Sequence, residues 1–243
     1  MPIKNIQFFI IVSIITLNIS TSNAQHHIGF SGGYSAGSFT NFTKKEGYDA
    51  IYHLKSGVSL SSFYEKKIDS SGSLKIELQY KWQNADMEVE NNAGHASFYK
   101  KSDYSFHLLA FNLIYSFRLV EKKSFKLYFL LGPTFIYNIN TAAKGNGWEY
   151  YSKEQIDTSG NTVYNLDIRH YEQNERHSKD LSGFNIGIDL GVEFILPINS
   201  NMDLLIQNRY DFFFISFIKQ HDFRYTSLFT GHLNIGIRYN FRK

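Results

Sequence analysis

The chain contains no cysteine, and only 3 prolines, 3 methionines and 2 tryptophans among its 243 residues. Without cysteine there can be no disulfide framework, no thiolate metal site, no thiol nucleophile and no lipidated N-terminal cysteine. So few prolines leave long backbone ladders unbroken almost everywhere. An excess of one charge is missing too: the formal net charge is +3, which gives no electrostatic footprint for nucleic acid. After the first 17 residues no apolar run approaches the length of a membrane-spanning helix.

That single apolar run is Phe8 to Leu17 (FFIIVSIITL), preceded by Lys4 and followed by polar, small residues ending in Ser22-Asn23-Ala24. The run is about half of the roughly 20 residues a spanning helix needs, and Ser22 and Ala24 occupy the small-residue positions of a cleavage site before Gln25. The pattern predicts a cleaved signal peptide over 1–24 and an exported domain over 25–243. An uncleaved helical anchor is the alternative, and the shortness of the run argues against it.

Aromatic residues are abundant, with 22 Phe and 17 Tyr beside 17 Gly, a composition that predicts an all-β chain. The stretch LKIELQYKWQ shows how it is organised. Leu74, Ile76, Leu78, Tyr80 and Trp82 fall on one face of a strand, and Lys75, Glu77, Gln79, Lys81 and Gln83 on the other. Such alternation recurs eight times, at about 27–39, 49–65, 74–83, 104–118, 126–139, 183–196, 202–214 and 231–241. Gly132-Pro133 interrupts the fifth strand and predicts a bulge or local break, because proline cannot donate to a ladder.

The connections alternate in length. Those at 66–73, 119–125 and 197–201 are short; those at 84–103, 140–182 and 215–230 are long, with 40–48 the shortest of the long set. An even strand number with short turns at one end and long loops at the other is the layout of an outer-membrane barrel. Ten residues of strand rise about 33 Å, and a tilt near 45° brings this to roughly 23 Å, the height of an outer-membrane apolar band.

A soluble ligand-binding barrel would place the apolar face inside, and alternation alone does not distinguish the two. Side-chain size does. The polar faces of the first, sixth and eighth strands are rich in Gly, Ser and Asn, which suit a narrow interior, whereas their opposite faces carry Phe, Ile, Leu and Tyr. The expected fold is therefore an eight-stranded antiparallel up-and-down transmembrane β-barrel. Lys75, Glu77, Lys81, Asp189, Glu193, Arg209, Asp211 and Arg238 would share its lumen, and Tyr80, Trp82, Tyr137 and Tyr239 would form interfacial girdles.

Four stretches carry a family resemblance: AQHHIGFSGGYSAGSF, FHLLAFNLIYSFRLVEKKSFKLYFLLGPTFIYNI, GFNIGIDLGVEFILPINSNMDLLIQNRYDFFF and the terminal LNIGIRYNF. Together they resemble the small outer-membrane β-barrel domain proteins of Bacteroidota-type bacteria, the PorT-like group, over essentially all of the mature chain. The resemblance implies a cell outer membrane location after signal-directed export, contact with outer-membrane lipid, and recognition of a terminal aromatic, here Phe241, by the barrel assembly machinery. Most such proteins have no assigned biochemical role, and a few similar barrels serve in protein secretion.

Candidate chemistry is sparse. Asp103, Ser105 and His107 fall at i, i+2 and i+4 on the apolar face of the fourth strand, so Ser105 and His107 are candidates for a lipid hydrolase. Asp103 would stand about 13 Å from His107 along an extended strand, too far to orient it, and an acid such as Asp86 would have to substitute. Polar residues where a strand leaves the membrane account for all three without catalysis. Neither His95 with Ser97 nor His26-His27 has metal-site spacing, and no cofactor is expected. The basic pairs Lys66-Lys67, Lys122-Lys123 and Arg242-Lys243 would sit at the periplasmic rim as solvated residues or headgroup contacts.

Residues 140–182 hold the most informative stretch. Segments 148–156 and 162–171 are strand-like and flank the turn-prone Asp157-Thr158-Ser159-Gly160-Asn161, which predicts a hairpin projecting beyond the membrane. Trp148, Tyr150, Tyr151, Tyr164, Arg169 and Tyr171 give it the aromatic and Arg content of a binding surface, or else the core of a long loop. The functional expectation is a non-enzymatic barrel that binds a protein partner in the envelope, or a surface ligand, through its loops. An accessory subunit of a secretion or transport complex and a lipid hydrolase are the alternatives.

Overall fold

The computed structural model describes residues 25–41, 48–93, 96–156, 162–175, 183–214 and 226–241. The expected signal segment 1–24, His95, the turn 157–161 and the Arg242-Lys243 pair lie outside these residues. Ten strands run in chain order: β1 His26–Asn41, β2 Tyr48–His53, β3 Lys55–Lys67, β4 Gly72–Ala93, β5 Ala96–Glu121, β6 Lys126–Ile156, β7 Thr162–Glu175, β8 Phe184–Pro197, β9 Met202–Phe213 and β10 Thr226–Phe241. Every pairing is antiparallel.

Eight of the ten close a ring in the order β1-β3-β4-β5-β6-β8-β9-β10, with His26 of the first strand opposite Phe241 of the last. Closure leaves no edge within the ring. β2 and β7 stand apart from it. β2 pairs with the outer part of β4, and β7 with the outer part of β6.

Tight turns gather at the end where the chain enters and leaves the barrel. In the β3–β4 turn the backbone N–H groups of Ser71 and Gly72 donate to Asp69 Oδ1 at 2.6 and 2.8 Å, and the Ser71 hydroxyl donates to the same oxygen at 2.7 Å. The β8–β9 turn uses the same device, with Asn201 and Met202 N–H donating to Asn199 Oδ1 at 2.8 and 2.9 Å. A short polar side chain thus supplies the acceptor that the reversing backbone cannot.

The outward surface is apolar through the girth of the barrel. Phe30 is 66% exposed, Leu60 64% and Ile235 57%, while Lys75, Lys81 and Arg209 are buried inside. That arrangement inverts a soluble barrel and suits a bilayer.

The interior differs from the polar lumen expected above. Inward positions do carry Lys75, Glu77, Gln79, Lys81 and Gln83 along β4, but the inward residues that follow on the same strand are Ala85, Met87 and Val89. Together with Phe39, Tyr104, Phe106, Leu108, Ile136, Phe213 and Leu228 they form an apolar plug at the loop end. The alternation therefore inverts near Gln83. Odd positions of β4 are polar below that point and apolar above it, yet face inward throughout. For this reason 84–93 and 96–103, expected as loop, are strand: β4 runs to Ala93 and β5 starts at Ala96.

Two further differences are local, and between them lies one expected break. The single strand expected at 49–65 is divided at Leu54, where Gln83 Nε2 donates to Lys55 O at 3.0 Å and Asn84 Nδ2 to Ser56 O at 2.9 Å, so side-chain amides replace the missing ladder. At Gly132-Pro133 the β5–β6 ladder lapses without a change of register, which is a break rather than a bulge. Register shifts fall instead at His107/Leu108 and Arg118/Val120. Within 140–182, residues 140–156 continue β6 without interruption, so the expected hairpin grows directly from a barrel strand.

Candidate functional site

Strand length builds the site. β6 has 31 residues, about three times the 9–11 that a membrane-crossing strand needs. β5 has 26 and β4 has 22. Their surplus lies at the loop end, where β2 and β7 add to it and make a five-stranded wall in the order β2-β4-β5-β6-β7. β8, β9 and β10 do not rise with it; they have 14, 12 and 16 residues.

The hairpin residues singled out in the sequence divide by register. Trp148 pairs with His170 on one parity, and Arg169 pairs with Glu149 on the other. Trp148 stacks on Tyr99 of β5 with ring centroids 5.9 Å apart, while Arg169 is exposed. The backbones of Tyr150, Tyr151, Tyr164 and Tyr171 are in β6 and β7, but their side chains lie outside the described residues. Tyr99 was not legible as a site residue because its segment reads as loop. No polar/apolar alternation marks 97–103 (SFYKKSD), so nothing in the sequence singled Tyr99 out.

Two sets of charges on the outward side of the wall are paired. Lys101 Nζ donates to Glu88 Oε1, and this carboxylate holds the ammonium above its ordinary pKa. Lys55 Nζ lies 3.2 Å from Asp86 and 3.8 Å from Asp103.

The candidate residues Ser105 and His107 take their partners from the aromatic girdle. Ser105 Oγ accepts from Trp82 Nε1 at 2.8 Å, and His107 Nδ1 shares a 2.6 Å hydrogen bond with Tyr80 OH. The His107 ring also lies parallel to that of Trp82, at 6.4 Å and 7°. Asp86 receives His53 N–H at 3.0 Å and faces Lys55, not His107. Ser105 and His107 are thus held by the aromatic girdle rather than by each other.

Below the wall the lumen is closed. Arg209 donates to Glu77 at 2.6 and 2.8 Å and to both Asp189 oxygens through Nε. Lys75 meets Glu193 at 2.5 Å, and Lys81 meets Asp211 at 2.5 Å beside His232 and Thr230. These ion pairs are at most 1% exposed. A polar cavity of about 180 Å³ opens at the turn end, with Lys67, Ser73, Tyr128 and Arg238 in its lining. Tyr128 packs there against Phe63, Ile195 and Leu205, a second apolar layer. Among the described residues no group of His, Asp and Glu is placed to hold a metal ion.

A family model described as outer membrane protein beta-barrel domain matches residues 21–219. No curated protein sequence matches the chain. Among solved structures, the chain is similar to Ail, the attachment invasion locus protein of Yersinia pestis, at 13% identity and a TM-score of 0.36, covering 90% of this chain and 100% of that one. It is also similar to OprG from Pseudomonas aeruginosa, at 13% identity and a TM-score of 0.38, covering 91% and 99%. A major outer membrane protein from Thermus thermophilus has 11% identity and a TM-score of 0.39, covering 88% and 99%.

Proposed function

This chain belongs to the outer membrane protein beta-barrel domain family and resides in the outer membrane, and on that premise we propose that it is a closed, non-enzymatic barrel whose extracellular wall binds a partner. The observation that carries this reading is the joining of two features in one chain. The lumen is sealed by buried ion pairs and by an apolar plug, and the strands that outgrow the membrane build a wall instead of a pore mouth. A channel would need neither the plug nor the wall. A lipid hydrolase would need Ser105 and His107 free to meet each other.

The Bacteroidota-type, PorT-like resemblance supports the same class of envelope barrel, and an accessory place in a secretion complex would use the same wall. During biogenesis the barrel assembly machinery would read the β10 strand ending at Phe241.

The test is retention of partners in mild detergent after crosslinking, for the full chain and for a variant in which 148–171 is replaced by a short turn. Loss of a stoichiometric partner in a barrel that still folds supports the reading. A barrel recovered alone in both cases, or steady conductance in planar bilayers, counts against it.

A further inference from the structure

The outward face of the wall carries an aromatic row that barrel closure does not require. Tyr99 on β5, Trp148 on β6 and His170 on β7 stand side by side in register. The Tyr99 and Trp148 rings stack at 5.9 Å and 23°, and His170 is exposed. Glu90 of β4 lies opposite Tyr99, and the next row toward the membrane is Glu88, Lys101, Asn146 and Glu172.

Flat rings edged by carboxylates and an amide match the chemistry of a pyranose. One face of the sugar presents polarised C–H groups, which the negative face of an aromatic ring attracts, and its hydroxyls donate to carboxylates and amides at the edge. The two rows around the rings offer little to a phosphate or sulfate, and the exposed cation Lys144 stands one row nearer the membrane, opposite Asp103. Lys101 is engaged by Glu88, and Glu90 and Glu172 add negative charge.

Continuity with the lipid-facing surface decides which sugar stands there. β5 keeps one parity from the membrane upward, so His107, Ser105, Asp103, Lys101 and Tyr99 all project outward. Tyr99 is eight residues beyond His107, which the girdle residues Tyr80 and Trp82 flank. Eight residues rise roughly 26 Å along a strand and, at a tilt near 45°, roughly 19 Å above the interface. At that height an outer membrane presents the sugars of its outer-leaflet glycolipid, beyond the acyl chains and the phosphates.

Resting on the reading of the wall as a binding surface, we propose that Tyr99, Trp148 and His170 form a stacking site for the core sugars of outer-leaflet glycolipid in the same membrane. The site would fix the wall against neighbouring glycolipid and leave its opposite face turned over the plugged lumen.

Trp82→Phe makes Trp148 the sole tryptophan, since the chain has 2. In that full-length background, folded in micelles and checked by heat-modifiable gel mobility, tryptophan emission is titrated with core oligosaccharide released by mild acid from the producing bacterium's own glycolipid. The expected result is a saturable change, an apparent Kd weakened about tenfold by Tyr99→Ala, and no saturable change with the deacylated phosphorylated disaccharide base. If Trp82→Phe does not fold, calorimetric titration of the unaltered chain and of Trp148→Ala replaces the optical readout. A flat titration of folded protein, an equal response to the phosphorylated base, or unaltered binding by Tyr99→Ala would overturn the proposal. A flat titration together with loss of a protein partner on replacing 148–171 overturns the glycan assignment alone and leaves the interaction role standing.

Discussion

Arg209 on β9 reaches Glu77 on β4 at 2.6 Å, although the two strands lie on opposite sides of the ring. The guanidinium also engages Asp189 on the adjacent β8, so one cation ties three strands through the middle of the barrel. Its planar fork of donors suits two carboxylates at once, which a lysine could not match.

Removing one member of this set should cost more than removing the set. Arg209→Met leaves Glu77 and Asp189 buried without the guanidinium that both of them bind, and a loss of about 3–5 kcal/mol is expected. The triple change Arg209→Met, Glu77→Gln, Asp189→Asn should recover a large part of it. Urea unfolding in micelles, followed by gel mobility, compares the two.

Loss of the plug alone should not open the barrel. Phe106→Ala with Leu108→Ala empties part of the apolar layer, but Lys81–Asp211 and Arg209–Glu77 still bar the lumen beneath it. Planar-bilayer recordings of this variant should stay silent. Steady conductance would mean that the plug, not the ion pairs, is the seal.

Gly132 and Gly183 should respond oppositely to a side chain. A Cβ at Gly132 would collide with the Leu113 carbonyl oxygen, whereas a Cβ at Gly183 meets nothing within 4 Å. Gly132→Ala is expected to abolish the folded, heat-modifiable form, and Gly183→Ala to leave it unchanged.

The turn at Asp69 predicts a pH dependence outside the membrane. The Ser71 hydroxyl, the Ser71 N–H and the Gly72 N–H donate to its carboxylate and hold its pKa below the ordinary aspartate value of 3.8. A pKa depressed in the folded state adds stability that is fully present above the unfolded value and is lost as pH falls through the folded one. The difference in unfolding midpoint between the parent and Asp69→Ala should therefore be full at about pH 7 and smaller at about pH 3. An unchanged difference would remove the carboxylate from the turn's stability.

Replacing Ser105 by Ala should leave membrane lipid composition unchanged by mass spectrometry, because Ser105 is bonded to Trp82 and His107 to Tyr80, which leaves the hydroxyl without a base at hydrogen-bond distance. Accumulation of an intact lipid that the parent depletes would restore the hydrolase reading.

Much of this molecule was already written in the order of its residues. Alternation with period two gave eight membrane strands and the faces of β8, β9 and β10, because a strand half in lipid must sort its side chains by polarity. The short gaps at 66–73 and 197–201 marked tight turns, whose caps Asp69 and Asn199 the structure identified. Other features needed the folded barrel. Whether Met87 and Val89 continue a strand or enter a loop depends on what packs with them inside the barrel, and that is Phe106 and Leu108 on the neighbouring β5 together with Phe213 and Leu228 on β9 and β10. The pairing of Arg209 with Glu77, 132 residues apart, follows only from ring closure, which sets β4 opposite β9. The meeting of Tyr99 with Trp148 likewise follows from the register of β5 on β6, and a register is a relation between strands that neither strand carries alone.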